Sequence, residues 1–282
     1  MKAKTILIWL LAVAAIVHIG AVVGVFLFQG KILFHPDPTP VGEPDDPRIS
    51  LVSFDVPQLG EILAFSAEAA EGCPTVLFFH GNASYIARNQ GRYDAMLDKG
   101  VGFLAVAWPG YAGSDGKPGE KNFHRTAAAA EEKLLSDGVP ASDIVIHGFS
   151  IGTGPSTKLA SQSEVGALVL EAPYLSLKDL VDVRDGPTPF HMMLTTTFRS
   201  DEWIGDVTEP VLMVHGDDDR VIPLDQSLQL YERANMPKTY VAIEGGGHSD
   251  LTARGLYDVV WTFLQPIYPD CNLSPSDEVT PT

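Results

Sequence analysis

The chain has 282 residues, 45% apolar and 20% charged, with 19 Lys and Arg against 36 Asp and Glu for a formal charge of −17. That apolar share excludes wholesale disorder and collagen-like repeats, and at about 150 residues per domain the length allows one large or two small domains. The strong acidity argues against a nucleic-acid partner, because phosphate binding needs a surplus of Lys and Arg, and two cysteines without a shared short motif rule out a Cys-rich zinc module.

From Ile6 to Phe28 every side chain is apolar except His18. As a helix this run is about 35 Å long, enough to cross a hydrocarbon core about 30 Å thick. It exceeds the apolar core of a signal peptide and runs on to Gln29 without a convincing Ala-x-Ala cleavage site, so an uncleaved signal anchor is the expectation. Lys2 and Lys4 precede the span closely, while Lys31 and Arg48 follow more sparsely. That asymmetry predicts a single-pass protein with its N-terminus in the cytosol and its globular part on the extracytoplasmic side. Gly20 and Gly24 form a G-x-x-x-G, either a helix-pairing face or simply the glycine common in such spans. Between Pro36 and Pro47 lie five prolines and four acids, which predict a semi-extended spacer. The organisation read from this is an anchor over 1–30, a Pro-rich spacer over 31–48, a catalytic domain over 49–268 and a polar, frayed tail over 269–282.

Strand patterns follow at Ile49–Val56, Glu61–Ala67, Thr75–Phe79, Gly102–Ala107, Ile144–His147, Ala167–Leu170, Val211–Val214 and Thr239–Ile243. Helix patterns fall at Glu120–Leu135, Ile151–Ala160, Leu224–Ala234 and Leu251–Leu264. Strands such as Val211-Leu212-Met213-Val214 are apolar on both faces, as in a parallel sheet sandwiched between helices. The fold class is therefore α/β, a three-layer domain with a mostly parallel sheet, preceded by a transmembrane helix. Ligands of such sheets bind beyond the carboxyl ends of the strands, so chemistry is sought just after each strand.

Gly148-Phe149-Ser150-Ile151-Gly152 follows one strand and opens a helix. G-x-S-x-G in that setting is a strained turn that holds a serine hydroxyl clear of the backbone, beside the free N–H of Ile151 at the helix start. Phe79-His80-Gly81-Asn82 ends an earlier strand, where the backbone N–H of Asn82 is the best candidate for a second oxyanion donor, the other reading being a residue that only stabilises a turn, and His80 is read as packing beneath the loop. A serine nucleophile needs a base oriented by a buried acid. Asp217, Asp218 and Asp219 all stand at a later strand tip, and spacing does not choose among them. His248, in Gly245-Gly246-Gly247-His248, follows the last strand in a loop given freedom by its glycines. The order serine, aspartate, histidine is that of α/β hydrolases.

The chain resembles the α/β-hydrolase family, specifically small signal-anchored α/β-hydrolase domain-containing serine hydrolases. The likeness runs from Lys31-Ile32-Leu33-Phe34-His35-Pro36 to His248. It passes through Phe78-Phe79-His80-Gly81-Asn82, Gly110-Tyr111-Ala112-Gly113-Ser114-Asp115-Gly116, Gly148 to Pro155 and Glu171-Ala172-Pro173-Tyr174. His215-Gly216-x-x-Asp219-x-x-Ile222-Pro223 places the family's acid on Asp219. The departures are Pro109, where relatives often carry Arg, and Ala112, where Gly is usual; both are expected to reshape the pocket rim. Such families include lysophospholipases, depalmitoylating thioesterases and carboxylesterases.

The implied machinery is Ser150, His248 and Asp219, with Asn82 and Ile151 as oxyanion donors and no metal or organic cofactor. The implied substrate is a small-molecule or lipid-like acyl ester or thioester. A serine peptidase or an acyltransferase on the same machinery, and a non-catalytic binding protein, are the other readings. The stretch from Leu170 to Pro210 is expected to hold one or two small helices and no large lid, with Met192, Met193, Leu194, Phe198, Pro187, Pro189 and Phe190 making it apolar. Cys73 and Cys271 are open to either state, a disulfide if the domain lies outside the cytosol or unpaired buried thiols.

Overall fold

Apolar strand runs separated by amphipathic segments assemble, in the computed structural model, into one sheet covered by helices on both faces; residues 2–185 and 194–274 are described. In chain order the elements are α1 (Lys2–Leu33), β1 (Ser50–Val56), β2 (Gly60–Ala67), β3 (Thr75–Phe79), α2 (Gln90–Leu97), β4 (Gly102–Val106), α3 (Glu120–Ser136) and β5 (Ile144–Phe149). They continue with α4 (Thr153–Ala160), β6 (Ala167–Glu171), α5 (Leu177–Asp185), α6 (Ser200–Trp203), β7 (Val211–Gly216), α7 (Leu224–Arg233), β8 (Lys238–Ile243) and α8 (Leu256–Leu264).

The eight strands run in the order β1-β2-β4-β3-β5-β6-β7-β8. β2 pairs antiparallel with β1 and β4, and every other pairing is parallel. The central strands β3, β4, β5, β6 and β7 are buried along their whole length, which is why they read as continuous apolar runs. Their alternate residues feed two cores. Leu77, Phe79, Ile144 and Ile146 pack with Phe123 and Leu134 of α3, Leu159 of α4 and Leu230 of α7. Val76, Phe78 and Val145 pack on the other face with Tyr93 and Met96 of α2 and Leu256, Val260 and Trp261 of α8.

All eight expected strands are present, with ends moved by one or two residues. The helix expected over Leu251–Leu264 is a 3₁₀ turn, Leu251–Arg254, and then α8, because Gly255 between them adopts a left-handed φ of +86°. The helix expected from Ile151 begins instead with a 3₁₀ turn over Ser150–Gly152. No pattern announced α2, whose anchors Tyr93 and Met96 stand among polar residues. Of the apolar residues expected between β6 and β7, Leu194 and Phe198 are buried, while Pro187, Pro189, Phe190, Met192 and Met193 lie outside the described residues.

The segment after α1 is docked rather than free. Phe34 is buried against Phe123 and Phe198, and the Ala112 N–H donates to Asp37 while the Val41 N–H donates to Ala112. Ala112 holds a left-handed φ of +54°, a conformation that glycine adopts without strain. The end of the chain is tied down too, as far as it is described. Cys271 forms a disulfide with Cys73, and Leu273 is buried with its N–H donating to Gln265. Within α1, Ala3–Gly24 is long and apolar enough to cross a membrane, and none of that stretch is covered by the rest of the protein.

Candidate active site

β5 delivers Ser150 at its carboxyl end. The serine has a left-handed φ of +54°, a backbone state rare for residues other than glycine. Glycine flanks it because nothing larger fits: a Cβ on Gly148 would meet the Gly152 carbonyl and the Thr153 Cα, and one on Gly152 would meet the Phe79 carbonyl. The turn thus presses against β3 on one side and α4 on the other, and the Thr153 hydroxyl donates to the Ser150 carbonyl at 2.6 Å.

The loops after β7 and β8 complete a hydrogen-bonded chain. His248 Nε2 lies 2.9 Å from Ser150 Oγ, and His248 Nδ1 lies 2.7 Å from Asp219 Oδ2. A carboxylate only accepts, so Nδ1 carries the proton and Nε2 is left to accept from the serine hydroxyl. Asp219 Oδ1 accepts the N–H groups of Val221 at 2.7 Å and Ile222 at 2.9 Å. Burial alone pushes this carboxyl up, but hydrogen bonds from His215, His248 and Ile222, with the charge of His248, hold it well below the usual carboxylate range. His215, fully buried beneath, places Nε2 at 3.3 Å from Asp219 Oδ2 and 2.9 Å from the Ile222 carbonyl.

The three neighbouring aspartates have separate work. Asp217 accepts the Gly245 N–H at 2.7 Å, which ties the β7 loop to the loop that carries His248. Asp218 meets only Arg220 on the surface. Only Asp219 touches the imidazole. The glycines before His248 serve close approach as much as freedom, since a Cβ on Gly246 would meet the Ile243 carbonyl and the Gly216 Cα.

Asn82 and Ile151 line one cavity together with Ser150. The Asn82 side chain is fully engaged: Oδ1 accepts from the His35 N–H at 3.1 Å and the Tyr111 hydroxyl at 2.9 Å, and Nδ2 donates to the Leu33 carbonyl at 2.7 Å. His80 is buried against Trp108 and Tyr111, its Nδ1 donating to the Gly81 carbonyl, and burial pushes its pKa down to about 4.

Sequence reasoning missed a buried ion pair under the turn. Arg92 of α2 makes a two-pronged contact with Glu171 at the end of β6, at 2.5 and 2.9 Å. Burial works against the Glu171 charge, but Arg92, aided by His147, brings its pKa down to about 2. The same guanidinium lies 4.8 Å from the Phe149 ring centre, and that ring in turn lies 5.3 Å from His248. The available signal was a glutamate ending an otherwise apolar central strand.

Two cavities meet at Ser150. One, of about 520 Å³, includes the polar residues His248, Arg88, Ser249 and Thr252 in its lining. The other, of about 310 Å³, is bounded by Ile32, Leu33, Tyr174, Leu177, Leu180 and Val181. Pro109 and Ala112 line neither, so the expected change at the rim is not found there. Among the described residues no group of three or more His, Cys, Asp or Glu side chains is placed to hold a metal ion.

The chain is 30% identical over 263 residues to an uncharacterized protein of Mycobacterium tuberculosis, covering 90% of this chain and 93% of that one. It is 36% identical over 195 residues to the α/β hydrolase domain-containing protein aho-3 of Caenorhabditis elegans, covering 65% of this chain and 54% of the relative. The human α/β hydrolase domain-containing protein 17B is 32% identical over 185 residues, covering 65% of this chain and 63% of the relative. The chain belongs to the α/β-hydrolase family. It spans between about half and two-thirds of the length of these two hydrolase relatives. No family model matches it. The α/β-hydrolase fold is shared with a Pyrococcus furiosus esterase at a TM-score of 0.68 and 16% identity, over 83% of this chain and 97% of that one. An α/β hydrolase from Vibrio vulnificus superposes with a TM-score of 0.65 at 20% identity, over 76% and 81% of the two chains.

Proposed function

We propose that this α/β hydrolase is a membrane-anchored serine hydrolase that cleaves an ester or thioester through an acyl-enzyme. The observation that carries the proposal is the continuous chain from Ser150 Oγ through His248 to Asp219 at the strand tips. Ser150 Oγ attacks the acyl carbonyl while His248 Nε2 takes its proton, and Asp219 stabilises the imidazolium. The backbone N–H groups of Asn82 and Ile151 receive the oxyanion. The tetrahedral intermediate collapses, the bond from the acyl carbon to the leaving oxygen or sulfur breaks, and His248 returns the proton to that atom. Water activated by the same imidazole then attacks the acyl-enzyme, releasing the acid and restoring the Ser150 hydroxyl.

Ala3–Gly24 anchors the protein in a bilayer, a reading supported by its length, its apolarity and its lying outside the folded core. The Cys73–Cys271 disulfide supports a catalytic domain on the extracytoplasmic side, where thiols are oxidised. The test is a panel of p-nitrophenyl esters, acyl thioesters and anilides, assayed on washed membranes that carry the full chain. Ester and thioester turnover is expected in that fraction, falling on the order of 10⁶-fold in kcat for Ser150→Ala. Turnover of anilides above esters contradicts the substrate class, and activity kept by Ser150→Ala contradicts the nucleophile.

A further inference from the structure

The two cavities at Ser150 differ in the residues that line them: His248, Ser249 and Thr252 line the first only, and Ile32, Leu33, Leu177, Leu180 and Val181 the second only. A leaving group must receive its proton from the imidazole, so it departs on the His248 side. The acyl chain, bonded to the same carbon, extends the other way, into the groove between the end of α1 and α5. The walls there are Ile32 and Leu33 on one side and Leu177, Leu180 and Val181 on the other.

We propose that the C-terminal end of the anchor helix is one wall of the acyl-chain subsite, so that the scissile chain lies along the foot of the anchor while the polar leaving group occupies the His248 cleft. This rests on the reading of Ser150 as nucleophile. The wall is fixed to the catalytic domain rather than leaning on it. Phe34 is buried in the core, and the Leu33 carbonyl and His35 N–H hold both ends of the Asn82 side chain, beside the proposed oxyanion site. Gln29, on the preceding turn, is buried and accepts the Thr195 N–H at 2.8 Å. Ile32 itself remains half exposed, at the mouth of the groove, where the exposed apolar face of α1 continues. A hydrocarbon chain leaving a bilayer beside the helix therefore meets mostly apolar side chains on its way to Ser150, with His35 and Asn82 the polar residues of that lining.

The test compares p-nitrophenyl laurate with p-nitrophenyl acetate on the full chain in detergent micelles, and uses fluorophosphonate labelling of Ser150 to report an intact nucleophile in every variant. Ile32→Trp fills the mouth and is expected to lower the laurate-to-acetate ratio of kcat/KM at least about tenfold. Ile32→Ser, which keeps the groove open but makes its wall polar, lowers the ratio in the same direction by less. Thr252→Trp in the opposite cleft is expected to leave the ratio where it is. A ratio unmoved by both Ile32 variants, or one that falls for Thr252→Trp instead, overturns the subsite while labelled Ser150 leaves the serine-hydrolase reading standing. Failure of wild type to label Ser150 removes the reading and the subsite together.

Discussion

Asp217, Asp218 and Asp219 are chemically identical and adjacent, yet only Asp219 has a side chain shut off from solvent and set against an imidazole. The difference arises from the turn. Val221 and Ile222 aim their N–H groups back at Asp219, and His215 closes the space beneath it. Asp219→Asn is therefore expected to lower kcat on the order of 10⁴-fold, because the amide no longer holds the His248 tautomer that accepts from Ser150. Asp218→Asn, which loses only a surface contact with Arg220, leaves kcat within about twofold. Asp217→Asn, which weakens the tie to Gly245, falls between them. Steady-state kinetics on the three variants checks the order, and equal losses contradict it. At this scale Ser150 and His248 were legible because each sits in a glycine motif after an apolar strand. The choice among the aspartates was not legible from residue type and spacing, which are the same for all three; it came from the family resemblance of His215-Gly216-x-x-Asp219-x-x-Ile222-Pro223, and burial and the His248 contact set Asp219 apart in the structure.

Among the elements, the strands were the most legible, because a strand buried on both faces must be apolar throughout. α2 was not: Gly91 and Arg92 interrupt its apolar pattern, and Arg92 is there to pair with Glu171 from β6. That pair joins α2 to the strand beside the Gly148–Gly152 turn and packs against Phe149, which in turn meets His248. Removing one partner strands a buried charge, so Arg92→Met or Glu171→Gln is expected to cost about 3–5 kcal/mol, with the double change Arg92→Met, Glu171→Leu costing less than either. The pH dependence follows from the same pair. Glu171 titrates at about 2 when folded against an ordinary 4.5, so the unfolded chain takes up the proton first as pH falls. The stability this group contributes is complete above about pH 4.5 and is lost progressively toward pH 2. Urea midpoints measured across that window are expected to decline more steeply in wild type than in Glu171→Gln, and identical slopes contradict the assignment.

For the molecule as a whole, the sequence separated anchor, spacer, catalytic domain and tail, while the structure docks residues 34–41 and 271–273 on the domain. Phe34 enters the core and Asn82 is held by residues 47 and 49 positions earlier in the chain, contacts that no local pattern carries. The Cys73–Cys271 disulfide spans 198 positions and fastens Cys271 beside the start of β3. If Ala3–Gly24 is the anchor proposed for it, the domain works against a bilayer surface. Everything proposed for that surface depends on one oxygen becoming acylated. The most direct measurement is peptide mass mapping of full-length protein after brief treatment with a fluorophosphonate. A single adduct on the peptide that carries Ser150 is expected, abolished by His248→Gln. An adduct on another residue, or one on Ser150 that forms equally fast without His248, contradicts the account.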